Sequence, residues 1–555
     1  MPTVYRSLSP DLILHNGRIA APDAQLTDGD RTAIAVRGDR ILVIGTDEAL
    51  VPLAAPHTRL IDLGGRTVIP GIHDSHAHLI EVGAKLSLIR LDECQSPEEM
   101  MELVRARAAD TPPGHWIVGV GWNEGNFRDG RLPIRQDIDP ATSQHPVMLQ
   151  RFFNTDLVNS YALRLAGITR NTPDPAEGRI ERDAEGEPNG LLRAKAKGLA
   201  RRLLPKPSER ELISSVVLGC RALNKFGITS VIDPGLYPAE IRAYQRARDT
   251  GLLSVRMNLM PNWHGFRDDE HEAQLDCRAS ELGIYSGLGD EWLRIGGLKM
   301  AIDGGTTPHT AYMYEPFEGE TEVKNFNRLD PDQLYRYFRR AQELNWDVGI
   351  HCCGDRAQDI AVDALSRVAQ ELPVADTRHS IIHAYFPTEH ALQLMGRHHI
   401  AAVIQPTFLY WEGDLIFRDV GRQRALNYKP ARRYLDHGVV TGASSDVEST
   451  VSADPFVALY ALVTRKNNLG HLVGPDQAID RHEALHAYTM AGAWLTREEK
   501  LKGSLEPGKL ADMVVLDQDY FTVPDESIRD VHALMTVIGG NIVWQQEGIF
   551  HDHRP

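Results

Sequence analysis

Hydrophobic and polar positions follow a period of two at both ends of the chain. Short runs near the start, LILHNGRIA, TAIAVRGDRILVIG and TRLIDLGGRTVIP, are separated by Asn-Gly, Gly-Asp and Gly-Gly turns. The C-terminal end returns to the same pattern in LADMVVLDQD and HALMTVIGGNIVWQQEG. Such alternation is typical of half-buried strands. We predict that residues 1–70 and 500–555 form one composite β-sandwich domain, although two separate β caps would show the same pattern.

Between these ends, short apolar runs rich in β-branched residues alternate with helical patterns. The runs are TVIPGIHDSH, GITSVIDPG, LSVRMNLMP, LRIGGLKMAID, WDVGIHCCGD, HSIIHAY, IAAVIQPTF and GVVTGASSD. Patterns such as PDQLYRYFRRAQELN and DRAQDIAVDALSRVAQEL, with the helical period, lie between many of them. Strands that alternate with helices in this way form parallel sheets. The sequence therefore predicts an α/β fold, a (β/α)8 TIM barrel over residues 71–499.

The spacing of these runs is uneven in one place. From His78 to Gly227 the chain is far too long for one helix and its return. We therefore predict an inserted subdomain at about residues 92–205, after the first barrel strand. Since that strand ends at the catalytic face of such a barrel, we expect the insertion to cover the strand ends and contact substrate. A subunit interface is the alternative role.

The composition argues against several classes of binding partner and cellular location. The 555 residues carry a formal charge of −16, which argues against nucleic acid and anionic membranes because both select basic surfaces. Uninterrupted apolar runs are far shorter than the roughly 18 residues of a membrane-spanning helix. The start lacks the apolar core of a signal peptide, and the cysteines form no CxxC pair. We expect a cytoplasmic protein that binds a small-molecule substrate and forms a homo-oligomer, a dimer.

Side chains able to bind metal follow several of the predicted strands. His76 and His78 stand two residues apart, so in an extended strand both imidazoles point to the same side. The ends of later runs contribute Lys299, His351, His383 and Asp446. In a barrel, strand ends on one face converge radially on a single pocket. This convergence predicts a metal centre.

The same stretches, VIPGIHDSHAHL, GLKMAIDGG, GIHCCGDRAQDIA, IIHAY, GASSDV and GSLEPGKLADMVVLD, resemble the successive motifs of the amidohydrolase superfamily. They are most similar to its amidohydrolase-3 or YtcJ-like branch, which includes N-substituted formamide deformylase, over about residues 11 to 545. The resemblance implies that one or two divalent ions are held by His76, His78, Lys299, His351, His383 and Asp446. The lysine at the position of Lys299 is often carboxylated in that family, so the resemblance makes carboxylation of Lys299 possible without deciding it.

These residue types suit the chemistry. Neutral imidazoles and carboxylates are typical zinc ligands, and zinc lowers the pKa of bound water to about 7. An unmodified lysine is protonated at neutral pH and is a poor ligand, whereas its carbamate is an anion that can bridge two ions. Asp446 would bind metal and also act as the catalytic acid–base, taking the proton from water and passing it to the leaving nitrogen.

Simpler interpretations exist for individual residues. Lys299 could be a buried lysine paired with Asp303, and His351 and His383 could be core histidines. Among the neighbours of the predicted ligands, packing is favoured for His73 and orientation of a ligand for Asp74. Cys352 and Cys353 follow a ligand and could touch the metal, but packing is favoured for both. Candidate substrate contacts are Trp122, Arg151, Asn154, His309 and Trp411. Two positions depart from the family pattern, because Phe153 and Asn154 replace a common Gly-His pair and Ala194 replaces a common Glu.

The leading functional hypothesis is hydrolysis of a C–N bond in an N-substituted amide, formamide, carbamate or cyclic amide, by metal-activated water. Decarboxylation or C–C bond hydrolysis on the same barrel is a second hypothesis. A non-catalytic regulatory protein on a retained fold is a third, and the complete ligand set argues against it.

Overall fold

The computed structural model describes residues 9–20, 30–128, 130–151, 155–176, 178–264, 283–323, 329–374, 376–447, 449–450, 452–550 and 552–553. The chain divides into two compact units. The first comprises residues 1–80 and 219–555, and the second comprises residues 81–218.

A barrel of parallel strands forms the centre of the first unit, which confirms the predicted (β/α)8 fold. In chain order the strands are β1 (Ile72–Asp74), β2 (Ile228–Leu236), β3 (Arg256–His264), β4 (Leu298–Ala301), β5 (Val348–Cys352), β6 (Ser380–His383), β7 (Ala401–Ile404) and β8 (Thr441–Ala443). Each of these strands pairs in parallel with the next one in the chain. A further strand, Leu293–Ile295, pairs in parallel with β3. Backbone hydrogen bonds join the first strand to the last: Ser75 N–H donates to Ala443 O at 3.2 Å, and Asp446 N–H donates to His76 O at 2.8 Å.

Helices follow most barrel strands. In the first unit they are Leu79–Leu86 and Glu209–Asn224, which both cross the unit boundary, and Asp47–Leu50, Pro238–Asp249, Pro331–Glu343, Asp355–Glu371, Glu389–His398, Pro406–Ala425, Ala431–Asp436, Pro455–Thr464, Arg481–Ala487 and Met490–Leu495. Several begin with a side-chain cap, as where the Asp330 carboxylate accepts from Gln333 N–H at 2.9 Å. No helix in the described part of the chain is both long and apolar enough to span a membrane.

Strands from both ends of the chain share a two-sheet sandwich in the first unit. One sheet has the order Asp552–His553, Arg59–Asp62, Leu12–His15, Ala33–Arg37 and Arg40–Gly45. The other has the order Arg18–Ile19, Thr67–Pro70, Met513–Leu516, Ala533–Ile538 and Asn541–Gln545. Alternate residues such as Leu12, Leu14, Met513 and Val515 meet in one buried cluster, as the period of two requires.

The second unit has its own sheet, of order Gly178–Arg182, Pro188–Ala194, Thr155–Val158, Val147–Arg151, Ile117–Trp122 and Ile89–Arg90. Its helices are Pro97–Asp110, Arg135–Ile138, Ser160–Ala166 and Gly198–Arg201. One apolar cluster packs Met100 and Val104 of the first helix against Leu149 and Leu157. Another packs Ala162 and Leu163 against Met148. The sheet is therefore covered on both faces.

A buried ion pair joins the barrel to the C-terminal strands. Arg256, at the start of β3, donates to both carboxylate oxygens of Asp512 at 2.6 and 2.9 Å. Their side chains are only 2% and 4% exposed. The Arg256 guanidinium also lies 4.7 Å from the centre of the Trp292 ring. A paired charge at this depth is tolerated because both partners and their hydrogen bonds are present.

We expect Asp512→Ala to destabilise the fold by roughly 3–5 kcal/mol, because it leaves the Arg256 charge buried without its partner. The measurement is the midpoint of urea unfolding, with unfolding monitored by circular dichroism. Asp363→Ala is the matched control, since that carboxylate pairs with His390 at the surface, where the side chains are 58% and 56% exposed. Equal midpoints for the two variants would contradict the role of the buried pair.

Candidate metal centre

His76 and His78 lie directly after β1, in a segment that is hydrogen-bonded to the chain on both sides. Ala77 N–H donates to Ile232 O at 3.1 Å, and His78 N–H donates to Val447 O at 3.0 Å. This geometry places the two imidazoles on the same side of the chain, with ring centres 5.4 Å apart. His73 is out of phase with them and packs closely against Gly492.

Asp446 lies just past β8 and faces this histidine pair. Its Oδ1 is 3.6 Å from His76 Nε2 and 3.4 Å from His78 Nε2. The backbone of Asp446 has φ +54°, a left-handed conformation that costs a non-glycine residue roughly 1–3 kcal/mol. His383, at the end of β6, has φ +75°. Backbone strain of this kind is typical of a functional site, and here it occurs at Asp446 and His383, at the ends of two strands.

Asp74 fixes the position of both segments. Its carboxylate accepts from His76 N–H at 3.1 Å, from Ser445 N–H at 3.0 Å and from the Ser445 hydroxyl at 2.5 Å. Asp74 is fully buried, and this burial raises the pKa of its carboxyl group to about 7. The nearby negative charge of Asp446 also raises this pKa. Asp74 thus couples the histidine pair to Asp446, as expected of a residue that orients ligands.

The donor atoms of His76, His78 and Asp446 lie within 4.8 Å of one another. Zinc–ligand bonds of roughly 2.0–2.2 Å at tetrahedral angles place neighbouring nitrogen and oxygen ligands about 3.4 Å apart. The observed separations of 3.4 and 3.6 Å fit this value. Within the described residues, Asp446 Oδ1 and His76 Nδ1 are buried and have no hydrogen-bond partner. A cation beside the carboxylate oxygen offsets the cost of burying it.

A second group of donors adjoins the first. His351 on β5, Cys353 and His383 also place their donor atoms within 4.8 Å of one another. The ring centres of His351 and His383 are 4.2 Å apart, and those of His76 and His383 are 5.4 Å apart. His383 Nδ1 lies 3.9 Å from Asp446 Oδ2. The two groups form one continuous cluster.

The imidazoles of this cluster are suited to binding a cation. Burial lowers the pKa of His76 and of His383 well below the usual value, so both rings are neutral and offer a lone pair. The side chains of His78 and His351 are 12% and 19% exposed. The cluster is therefore buried on one side and accessible on the other.

Lys299 is fully buried on β4, beside β5. Burial lowers its pKa to about 8, and the nearby carboxylate of Asp446 opposes this shift. Asp303, two residues beyond β4, accepts from the backbone N–H groups of Tyr312, Cys353 and Gly354. Its carboxylate thereby fixes the backbone beyond β5.

Gln405 and Lys429 support His383, and neither was among the predicted site residues. Gln405 Oε1 lies 3.0 Å from His383 Nδ1 and also accepts from Lys429 Nζ at 3.0 Å. Lys429 is buried, with Nζ 3.6 Å from the centre of the Tyr385 ring. Gln405 directly follows the apolar run of β7, a strand end to which the sequence analysis assigned no ligand. Lys429 lies in NYKPARR, which carries no comparable signal.

The loop after β4 approaches the second donor group. Gly304 O lies 3.0 Å from His351 Nε2. Further along this loop, the His309 ring stacks on Phe317, with its nitrogens 3.1 Å from Glu320 and 3.4 Å from Asp419. Asp419 belongs to helix Pro406–Ala425, so His309 ties the loop to the helix that follows β7.

The remaining predicted substrate contacts have diverse surroundings. Trp122 is buried in the core of the second unit, where its indole N–H donates to Leu149 O at 2.8 Å. Arg151, in the same unit, forms a two-point ion pair with Glu124 at 2.6 and 2.7 Å. Trp411 follows Tyr410 on helix Pro406–Ala425 and packs edge-on against it. Asn154 lies outside the described residues.

Comparison with known proteins agrees with this fold. Residues 59–544 match the sequence model of the amidohydrolase family. The chain is 30% identical to protein LONG AFTER FAR-RED 3 of Arabidopsis thaliana, over 97% of this chain and 93% of that protein. It is 28% identical to N-substituted formamide deformylase of Arthrobacter pascens, over 97% of this chain and 99% of that protein, which confirms the predicted resemblance.

Among solved structures, the fold is similar to that of an uncharacterized metal-dependent hydrolase from Pyrococcus furiosus. The TM-score is 0.75 at 25% sequence identity, and the match covers 92% of this chain and all of the other. The family and this neighbour support hydrolase activity with a metal requirement.

We expect Asp74→Ala to destabilise the barrel, because it leaves the N–H groups of His76 and Ser445 and the Ser445 hydroxyl buried without their acceptor. Each unsatisfied buried group costs about 1–3 kcal/mol. Urea unfolding of the chelator-treated protein measures the loss without a contribution from bound metal. The matched control is Asp74→Asn, which keeps one acceptor oxygen and should lose less. A midpoint equal to wild type for Asp74→Ala would contradict the coupling role.

Proposed function

The chain belongs to the amidohydrolase family, and from this premise we propose that it hydrolyses a carbon–nitrogen bond other than a peptide bond. The substrate is an N-substituted amide, formamide, carbamate or cyclic amide. The observation that carries the proposal is the pair of adjoining donor groups at the carboxyl ends of the barrel strands. The similarity to N-substituted formamide deformylase over nearly the full length of both chains supports this bond type.

We propose that one or two zinc-like ions are held by His76, His78, Lys299, His351, His383 and Asp446. Such an ion, when bound, polarises the scissile carbonyl and activates water for attack. The separations of 3.6 and 3.4 Å between Asp446 Oδ1 and the Nε2 atoms of His76 and His78 support the assignment. Lys299 can join the set as a carbamate, formed when its amine attacks CO2 and releases a proton. The full burial of Lys299 suits a residue whose modified end stays within the cluster.

Asp446 is the proposed acid–base. Its Oδ1 faces the histidine pair, while Oδ2 lies 3.9 Å from His383 Nδ1. A carboxylate in this position accepts the proton of the attacking water and delivers it to the leaving nitrogen, so that no charged amide fragment has to leave. The Asp446 carboxylate is held in place by the strained backbone of that residue and by the hydrogen bond that Asp446 N–H donates to His76 O.

Substrate contacts through Arg151, Asn154, His309 and Trp411 remain predictions. Arg151 and His309 already have carboxylate partners, Glu124 for the first and Glu320 and Asp419 for the second. A substrate that binds either residue would have to share or replace these partners. Trp122 offers no exposed surface to a ligand, which favours a packing role for it.

The direct test combines metal analysis with a substrate screen. Purified protein should contain about one or two divalent ions per chain. Released amine is then measured across a panel of N-formyl and N-acyl amines, carbamates and cyclic amides. Chelation should abolish the release and added zinc should restore it, while circular dichroism stays unchanged. Metal-replete protein that releases no amine but evolves CO2 from a carboxylate substrate would replace C–N hydrolysis with decarboxylation.

We expect Asp446→Asn to fold normally and to lose about 10²–10⁴-fold in turnover, because the amide keeps the shape of the side chain but cannot accept the proton. Turnover is measured with the best substrate of the panel, at matched metal content. Wild-type turnover in metal-replete Asp446→Asn would assign the acid–base role to another residue.

A further inference from the structure

We propose that Cys353 is a sulfur ligand of one ion in this centre, together with His351 and His383. This inference rests on the proposed metal-dependent function, and it adds a residue outside the ligand set named above. The sequence alone favoured packing for Cys353. The structure brings its sulfur to the imidazoles.

The first argument is the repeat of a spacing. His76 and His78 stand two residues apart just past β1, and both bring a donor atom to Asp446 Oδ1. His351 and Cys353 have the same spacing across the end of β5. Alternation turns Cys352, between them, to the opposite side. β5 therefore presents a His-x-Cys pair where β1 presents a His-x-His pair.

The second argument is distance. Cys353 Sγ lies 3.4 Å from His351 Nε2. Zinc bonds of about 2.3 Å to sulfur and about 2.0–2.1 Å to nitrogen, at tetrahedral angles, place the two donors about 3.5 Å apart. The donor atom of His383 lies within 4.8 Å of both. The three side chains thus have the spacing of a shared ion.

The third argument is that the backbone around Cys353 is fixed. Asp303 Oδ1 accepts from Cys353 N–H at 3.0 Å, and Oδ2 accepts from Gly354 N–H at 2.8 Å. A side chain added at Gly354 would meet the Tyr312 carbonyl oxygen at 2.0 Å, so this turn has little room to move. The sulfur is therefore held beside His351 before any ion binds, which lowers the cost of assembling the site.

Binding of an ion by Cys353 and His351 conserves atoms and charge. As an ion enters, the Cys353 S–H bond breaks, the proton leaves to solvent and a sulfur–metal bond forms. His351 Nε2–H, which donates to Gly304 O at 3.0 Å, gives up its proton as the ring takes the Nδ1–H tautomer, and the Nε2 lone pair is then available for coordination. One negative sulfur then offsets one charge of the ion. Thiolate favours zinc, cobalt and cadmium over magnesium or manganese, so the proposal also predicts the metal class.

The test uses the full-length protein, stripped with chelator and reloaded with Co²⁺ as the only probe metal. Bound Co²⁺ with a thiolate ligand shows sulfur-to-cobalt charge-transfer absorption in the near ultraviolet, which nitrogen and oxygen ligands do not give. We compare wild type, Cys353→Ser and the matched control Cys352→Ser, which removes a buried thiol from the neighbouring position. Equilibrium dialysis gives the Co²⁺ stoichiometry and affinity of each protein.

We expect the band in wild type and in Cys352→Ser and its loss in Cys353→Ser, which should also bind its weaker ion at least about 10-fold less tightly. Absence of the band from cobalt-loaded wild type, or its persistence in Cys353→Ser, would overturn the proposal while the metal-dependent function stands. Wild type that binds no Co²⁺ or Zn²⁺ at all would instead refute the proposed function. Because absence of the band from wild type already overturns the proposal, the test stays decisive against it even if Cys353→Ser fails to fold.

Discussion

Closure of the barrel between its first and last strands is the constraint on which the candidate centre depends. The hydrogen bond from Asp446 N–H to His76 O and the Asp74 carboxylate that binds both His76 and Ser445 lie at this seam. The same contacts that close the sheet therefore bring the Asp446 carboxylate within 3.6 Å of the histidine pair. Asp74 and Ser445, 371 positions apart in the chain, meet only because β8 returns beside β1. The site and the fold are stabilised by the same contacts.

The two donor groups are held in position by different kinds of contact. His76, His78 and Asp446 are placed by backbone pairing across the seam, and Asp446 accepts a strained φ to face inward. His351, Cys353 and His383 are placed by side chains behind them: Asp303 fixes the backbone after β5, and Gln405 fixes the His383 ring. With Gln405 Oε1 bonded to His383 Nδ1, the other ring nitrogen remains for a ligand. Lys429 makes Gln405 part of a larger buried network.

Much of this could be predicted from sequence because it depends on local periodicity. Each of the apolar runs became a barrel strand, and the polar residues His351, His383 and Asp446 at their ends lie in one cluster because parallel strands share an edge. Gln405 sits at the end of the β7 run and was overlooked only because an amide is not a typical metal ligand. The contact between Gln405 and Lys429 could not be predicted, since it depends on where the chain returns after helix Pro406–Ala425. The proximity of Cys353 Sγ to His351 Nε2 likewise depends on the turn that Asp303 holds.

The sandwich built from both ends of the chain has a consequence for biosynthesis. Strand Thr67–Pro70 leaves the ribosome hundreds of residues before its antiparallel partner Met513–Leu516. At roughly 5–20 residues per second, that interval lasts on the order of tens of seconds. Throughout it the edge of Thr67–Pro70 that pairs with Met513–Leu516 has no neighbouring strand, while the barrel strands are synthesised behind it. The nascent chain therefore carries an unpaired β edge throughout that interval, a longer exposure than in a sandwich whose strands pair locally.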